Sequence, residues 1–216
     1  MPFQNTDDMV QGSDAWRQIR LGKVTASRVS DVVARTKSGY GASRANYAAQ
    51  LIAERLTGQP AESYVNAAMQ HGTDTEPEAR NAYEFYHGVS VREVAFVPHP
   101  TIPDAGCSPD GLVGDDGMVE IKAPQTATHL DTLLGQATPA RYIDQIQFQM
   151  ACTGRTWCDF VSYDPRLPER MRLFVRRVSR DDNRIAELET EAVAFLKEID
   201  ARIIQLENLY GERAAA

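Results

Sequence analysis

The spacing of apolar residues predicts helices in the N-terminal part of the chain. "SDAWRQIRLG" is predicted as a short helix with Ser13 as N-cap, and "TASRVSDVVART" as a second with Thr25 as N-cap. "TEPEARNAYEFYHG" is predicted as a helix from about Thr75, with Pro77 acceptable only in its first turn. Between them, "SRANYAAQLIAERLTG" predicts a helix that ends at Gly58. Its apolar stripe consists of Tyr47, Leu51, Ile52 and Leu56.

The middle of the chain changes to the period of two that is typical of strands. "VSVREVAFV" predicts a strand, and "DGLV" and "MVEIK" predict a hairpin around Gly114–Gly117. Two helices follow, at 126–134 and at 139–153 with Thr138 as N-cap, and then strands over "TWCDFVSYD" and "MRLFVRRVSR". A last helix carries an apolar stripe of Ile185, Leu188, Ala192, Phe195, Ile199, Ile203, Leu206 and Tyr210. This order predicts an α/β fold in which helices flank a mixed sheet, as one domain over residues 1–216.

Composition narrows the class of protein. The chain of 216 residues is 43% hydrophobic and 25% charged, which is ordinary for a globular protein with a sizeable core. No apolar run approaches the roughly 18 residues of a membrane span, and "MPFQNTDDMVQGSD" lacks the features of a signal peptide. The three cysteines show no C-x-x-C spacing, and the four histidines show no metal-ligand spacing. We therefore expect a cytoplasmic protein with reduced thiols and no membrane association.

The distribution of charge is more informative than the net charge of −7. Residues 56–135 hold three Lys/Arg against twelve Asp/Glu, whereas residues 1–55 hold eight against five and residues 136–180 hold eight against four. An acidic centre between two basic blocks suits a site where carboxylates hold metal cations and arginines bind phosphates. Solvated surface charge is the alternative explanation of the same pattern.

The predicted hairpin "CSPDGLVGDDGMVEIKAP" carries the candidate chemistry. Alternate residues of a strand share a face, so Glu120 and Lys122 project together. If Leu112 pairs with Glu120, Asp110 faces Lys122 on that same face, and two carboxylates meet one ammonium. Mg²⁺ or Mn²⁺ would resolve the repulsion between the carboxylates and could promote phosphodiester hydrolysis. Equally, Glu120 and Lys122 could simply be the exposed face of an edge strand.

These residues resemble the PD-(D/E)xK nuclease superfamily, with Pro109-Asp110 and Glu120-Ile121-Lys122 as the signature. Together with "QGSDAWRQIRLGKVTASRVSDVV", "DQIQFQM" and "YDPR", in the same order and spacing, they resemble the phage lambda exonuclease, or alkaline exonuclease, family. The resemblance implies a restriction-endonuclease-like core. It also implies Mg²⁺-dependent, processive 5′→3′ digestion of linear double-stranded DNA to mononucleotides, leaving 3′ single strands for recombination. A ring-shaped homotrimer that works with a single-strand annealing protein is implied as well.

The resemblance also implies roles for individual residues. Asp110, Glu120 and the Ile121 carbonyl would bind the metal, and Lys122 would position the attacking water. Two further residues match positions near the site, Glu76 and Gln145. The match to the 5′-phosphate pocket consists of Arg20, Ser27 and Ser108, and Met69 matches an apolar residue that wedges between strands at the duplex end.

One position departs from the family pattern. A further metal-binding aspartate expected about ten residues before Asp110 is replaced by Pro100, and Asp104 is the nearest acidic candidate for a second metal. Either the loop is rearranged so that Asp104 serves, or the second metal is held more weakly. Two other functions stay open: an endonuclease of the same superfamily, and a non-catalytic subunit that binds DNA ends. The intact Asp-Glu-Lys set argues against the second alternative, because binding alone does not require the lysine.

Overall fold

The computed structural model describes residues 9–37, 39–61 and 67–211. Its helices are α1 (Asp14–Arg20), α2 (Val29–Val33), α3 (Ala42–Thr57), α4 (Ala67–His87), α5 (Thr126–Gly135), α6 (Ile143–Thr153) and α7 (Asp182–Tyr210). The first strands are β1 (Val24–Thr25), β2 (Arg35–Thr36), β3 (Gly39–Tyr40), β4 (Val91–Arg92) and β5 (Val97–Pro98). The others are β6 (Ala105–Cys107), β7 (Gly111–Val113), β8 (Gly117–Lys122), β9 (Trp157–Tyr163) and β10 (Leu173–Ser179).

The central sheet has five strands in the order β10-β9-β8-β7-β4. Strands β8 and β9 are parallel, whereas the other pairs of this sheet are antiparallel, so the predicted mixed sheet is confirmed. A smaller sheet, β1-β6-β5, leads into the hairpin of β7 and β8. No helix in the described residues is both long and apolar enough to cross a membrane.

Helices cover both faces of the central sheet. On one face Val119 and Ile121 of β8 pack with Ala79 and Tyr83 of α4. On the other face Met118 of β8 belongs to a cluster with residues of α6 and β9, among them Ile146, Met150 and Phe160. A third cluster joins α2, α3, α6 and α7. Because β8 is covered on both faces, Glu120 is not the exposed face of an edge strand.

Four predicted helices are confirmed: α1, α3, α5 and α7. The Ser13 hydroxyl caps α1 by accepting a hydrogen bond from the Trp16 N–H at 3.2 Å. Gly58 ends α3 in the left-handed conformation, at φ 66°. The apolar stripes extend too far, however, because Leu56 is 47% exposed on α3 and Tyr210 is 82% exposed on α7. Apolar spacing shows which face a helix buries but not where its packing partner ends.

Other predictions were wrong in their boundaries. The second helix is a 3₁₀ turn (Ala26–Arg28) followed by the short α2, and the Thr25 side chain makes no capping hydrogen bond. The predicted strand "VSVREVAFV" is divided, because β4 joins the central sheet and β5 joins the smaller one. Thr138 does not cap α6, which follows another 3₁₀ turn, Ala140–Tyr142. Alternation of residues cannot reveal that a chain changes sheets midway.

Helix α4 differs most from the prediction. It includes Ala67, well before Thr75, and Pro77 lies in its interior. A proline there removes one i→i−4 hydrogen bond, so the Thr73 carbonyl loses its usual helical donor. The burial of Thr75, Ala79 and Tyr83 against the sheet offsets this cost. Tertiary packing therefore overrides the local preference at Pro77.

Candidate active site

The hairpin pairs in a different register from the predicted one. Gly111 faces Val119 and Leu112 faces Met118, so continuing the register by one residue places Asp110 opposite Glu120 rather than Lys122. Gly117 begins β8 instead of closing the turn, and a Cβ there would lie 2.0 Å from the Trp157 ring, so glycine is needed at this strand position. The shift is two residues, which leaves Asp110 on the predicted face.

Glu120 is completely buried between the central sheet and α6. Gln145 donates to Glu120 Oε1 at 2.5 Å, and Gln149, one turn further along α6, donates to Oε2 at 2.7 Å. The Lys122 ammonium forms an ion pair with Glu120 Oε1. A buried carboxylate is tolerated only with such partners, so these three side chains fix the position of the charge.

Asp110 lies just before β7, beside the edge of β8. Its Oδ2 accepts a hydrogen bond from the Ile121 N–H at 2.6 Å. The N–H and C=O of one strand residue point to the same side, so the Ile121 carbonyl is directed toward the same edge. The structure thereby brings together the two carboxylates, the Ile121 carbonyl and Lys122, as predicted from the sequence.

The electrostatic environment of this group is asymmetric. Burial raises the pKa of Asp110 well above its usual range, and the negative charges of Glu120 and Glu76 raise it further against the opposing effect of Lys122. For Lys122, burial favours the neutral amine, but Glu120 and Asp110 outweigh burial and raise the pKa of the ammonium. Lys122 is therefore a cation in this arrangement, and the carboxylates repel one another.

Glu76 approaches the same site from α4. Burial raises the pKa of Glu76, and Arg80 opposes that effect. Arg80 donates to Glu76 Oε1 at 2.7 Å and forms a second ion pair with Glu93 at 2.6 Å. Glu76 thus lies within the electrostatic reach of Asp110 and Lys122, in a position that Arg80 holds.

A cavity of about 500 Å³ opens at this point. One wall is α4, and the floor is the end of β8 with the segment that follows it. The lining residues are Ala68, Met69, Gly72, Thr73, Glu76, Asp110, Ile121, Lys122, Ala123, Pro124 and Tyr142. Among the predicted residues, Glu76, Asp110, Ile121, Lys122 and Met69 line this cavity.

A second cavity, of about 340 Å³, contains Arg20, Ser27 and also Met69 in its lining. Arg20 donates to the Ser108 hydroxyl at 2.8 Å, and the Trp16 indole N–H donates to the same oxygen at 2.9 Å. The predicted phosphate-binding residues are therefore assembled from distant parts of the chain. Met69 lines both cavities, and its role as a wedge stays a prediction.

Asp104 is not brought to the site. Its carboxylate forms an ion pair with Arg55 at 3.2 Å, and Arg55 also pairs with Asp200 of α7. Asp104 lines neither of the two cavities. The idea that Asp104 replaces the missing upstream aspartate is unsupported by this geometry, because its place before β6 directs it toward α3 and α7.

Three functional candidates were missed in the sequence: Gln149, Arg80 and Tyr142. Gln149 lies four residues after Gln145, and that helical spacing alone places both amides on one face. Arg80 lies four residues after Glu76, which predicts the ion pair in the same way. Nothing local distinguishes Tyr142, whose ring lines the cavity and stacks on Phe160 with 5.3 Å between centroids.

The oxygen donors of the site fit a divalent cation. Asp110, Glu120 and the Ile121 carbonyl offer the hard oxygen ligands that Mg²⁺ and Mn²⁺ prefer. Within the described residues no three His, Cys, Asp or Glu side chains lie close enough together to hold a metal ion. Two carboxylates suit Mg²⁺ nevertheless, because this ion usually keeps waters and takes up substrate phosphate. A cation would also offset the repulsion that raises the pKa of Asp110.

Comparison with known proteins places this site in a family. Residues 15–156, which include every candidate residue named above from Arg20 to Gln149, match the YqaJ-like viral recombinase domain. The chain belongs to this family. A crystal structure of the alkaline exonuclease LHK-Exo from Laribacter hongkongensis is 54% identical, with a TM-score of 0.85, covering 91% of this chain and 97% of that chain. This match confirms the resemblance to the lambda exonuclease and alkaline exonuclease family.

Two other solved structures also resemble the chain. A structure of LHK-Exo in complex with dAMP is 52% identical, with the same TM-score and coverage. A phage-related exonuclease from Haemophilus somnus 129PT is 16% identical with a TM-score of 0.70, covering 85% of this chain and 96% of that chain, which supports the fold alone. No curated protein matches the chain significantly.

Proposed function

We propose that the chain is a Mg²⁺-dependent exonuclease that digests linear double-stranded DNA from 5′-phosphorylated ends and releases mononucleotides. The observation that carries the proposal is that Asp110 and Lys122 line one cavity, with the buried Glu120 paired to Lys122 behind it, and that Arg20 lines a second cavity, with Met69 in the lining of both. Homology to an alkaline exonuclease supports a nuclease, and dAMP, bound by that relative, is a deoxynucleoside monophosphate.

Asp110, Glu120 and the Ile121 carbonyl are the groups that would hold the cation. The bound cation would supply positive charge to stabilise the developing negative charge of the scissile phosphate. Gln145 and Gln149 hold the Glu120 carboxylate in place, because each donates a hydrogen bond to one of its oxygens.

Lys122 has a distinct role in this proposal. Because Glu120 and Asp110 raise its pKa, the ammonium is a hydrogen-bond donor rather than a proton acceptor. It can therefore orient the attacking water and neutralise charge on the phosphate, while its link to Glu120 fixes its position.

The second cavity accounts for the proposed choice of DNA end. Arginine and hydroxyl donors bind phosphate well, and Arg20, Ser27 and Ser108 offer both. The hydrogen bond between Arg20 and Ser108 connects this cavity to the strand that leads to Asp110. Met69 lines both cavities, so a terminal 5′-phosphate bound in the second cavity would lie next to the cavity that contains Lys122.

Digestion of matched linear and covalently closed duplexes with Mg²⁺, each linear duplex with and without a 5′-phosphate, tests the proposal. We expect loss of the linear duplex, preference for the phosphorylated 5′ end, intact closed circles and a residual 3′ single strand. Cleavage of closed circles would show an endonuclease instead. Glu120→Gln is the matched inactive control, because it keeps the size of the side chain and removes its charge.

The homotrimer and the annealing partner stay predictions from the family resemblance. Processive digestion favours a closed ring around DNA, and light scattering at working concentration measures the assembly directly. A monomer under those conditions would contradict the ring. Binding to a single-strand annealing protein needs a separate pull-down with that protein.

A further inference from the structure

The mouth of the catalytic cavity lies between α4 and the 3₁₀ turn that precedes α6. The α4 wall contributes Ala68, Met69, Gly72, Thr73 and Glu76, none of which is basic. The opposite wall is Tyr142, the last residue of the turn Ala140–Tyr142. A basic side chain that binds the DNA backbone at this entrance must therefore lie near Tyr142 or on the floor of the cavity.

The basic residue of the cavity floor, Lys122, already has an acidic partner. Lys122 pairs with Glu120, and its Nζ lies 5.6 Å from the centroid of the Tyr142 ring. Together with Glu76, Asp110 and Glu120, the site holds three acidic groups to one lysine. Even with one divalent cation bound, these groups leave no net positive charge at the cavity to attract the rest of the DNA backbone.

Arg141 is placed to supply that compensation. Its guanidinium lies 4.7 Å from the centroid of the Tyr142 ring, and the residue is exposed. Arginines around the site are otherwise occupied: Arg80 pairs with Glu76 and Glu93, and Arg166 pairs with Asp164. In the described part of the chain, Arg141 has no carboxylate partner.

We propose that Arg141 binds a backbone phosphate of the DNA strand at the entrance of the catalytic cavity, an inference that rests on the proposed function. The guanidinium offers a planar fork that matches a phosphate. Stacking on Tyr142 already restricts this side chain, so less conformational entropy is lost when it binds. Tyr142 in turn is held by Phe160, so the contact is built on the sheet rather than on a mobile side chain alone. Arg141 thus positions the strand beside Lys122.

The test is equilibrium binding of a fluorescent, 5′-phosphorylated linear duplex, measured without divalent cation over a series of salt concentrations. Arg141→Gln should weaken affinity about threefold to tenfold near 0.1 M salt and lower the slope of log affinity against log salt by about 0.9. In digestion assays the same variant should raise KM with kcat within about twofold. Arg141→Lys should keep the salt slope, because it keeps the charge.

Arg202→Gln is the matched control, since Arg202 is an exposed arginine of α7, whereas Arg141 lies against Tyr142 in the wall of the catalytic cavity. It makes the same change in net charge and should leave affinity, salt slope and KM unchanged. The inference is overturned if Arg141→Gln behaves like Arg202→Gln, or if Arg141→Lys loses as much slope as Arg141→Gln. If the unaltered protein neither binds nor digests duplex DNA, the proposed function itself fails.

Discussion

Replacement of Lys122 by methionine tests whether this residue acts in cleavage rather than in DNA binding. The change keeps an unbranched side chain one atom shorter and removes the ammonium that pairs with Glu120. The Glu120 side chain is completely buried, whereas the Lys122 side chain is 28% exposed. Glu120 has therefore lost all contact with water, and Lys122 has lost only part of it. Removing one partner of a buried pair is costly because the other charge stays behind.

The magnitude follows from what remains around Glu120. Gln145 and Gln149 still donate to it, so the loss of stability should be about 2–3 kcal/mol, below the ~3–5 kcal/mol for a fully buried pair. The effect on cleavage should be larger. Loss of a group that orients the nucleophile typically lowers the rate about 10²–10⁴-fold, or roughly 3–5 kcal/mol of transition-state stabilisation.

Three measurements check this prediction. Urea unfolding gives the change in stability, digestion of a labelled linear duplex with Mg²⁺ gives the rate, and binding of the same duplex without Mg²⁺ gives the affinity. We expect affinity within a few-fold of the original, because the arginine and hydroxyls of the second cavity are untouched. Lys197→Met, on the exposed side of α7, is the control. A digestion rate of Lys122→Met within threefold of the unaltered protein would refute the assigned role.

Three further predictions concern neighbouring groups. Gln149→Leu should lower the digestion rate about tenfold, because Glu120 loses a hydrogen-bond donor. The unfolding free energy should change by less than ~2 kcal/mol, because the substitution also removes Gln149 Oε1, a buried acceptor without a partner in the described residues. Unchanged kinetics would contradict the positioning role. Asp110→Asn should abolish digestion yet raise Tm by about 2–5 °C without divalent cation, since burial and like charge disfavour the carboxylate; a lower Tm in thermal denaturation would oppose this. Burial alone would raise the pKa of Asp164, but hydrogen bonds from Arg166 and Thr126 outweigh it and lower that pKa to about 2. A lowered pKa in the folded state stabilises the fold at pH values above the ordinary aspartate pKa. Asp164→Asn should therefore cost about 1–2 kcal/mol of unfolding free energy at neutral pH, a modest value because Arg166 is 44% exposed to solvent. In urea titrations this cost should shrink below pH ~4 and vanish near pH 2.

Local patterns were sufficient to predict the helices with strong caps and the hairpin that carries the motif. Ser13 and Gly58 act at their own helix ends, so a few neighbouring residues contain all the necessary information. The same holds for the common face of Glu120 and Lys122, which the two-residue period of a strand determines wherever the strand lies. Pro77 shows the limit, because burial of α4 against the sheet outweighs a strong local signal.

The sequence by itself determined the chemistry: acidic and basic groups at strand spacing, a helix bearing Gln145, and the motifs that resemble a known nuclease family. Only the tertiary structure decided that Glu120 is buried beneath α6, that Asp110 faces Glu120, and that Asp104 pairs with Arg55 instead. It also decided that Arg20 meets Ser108, which lies 88 residues further along the chain. The physical reason is that periodicity constrains the direction of a side chain relative to its own element, whereas its partners depend on how separate elements pack.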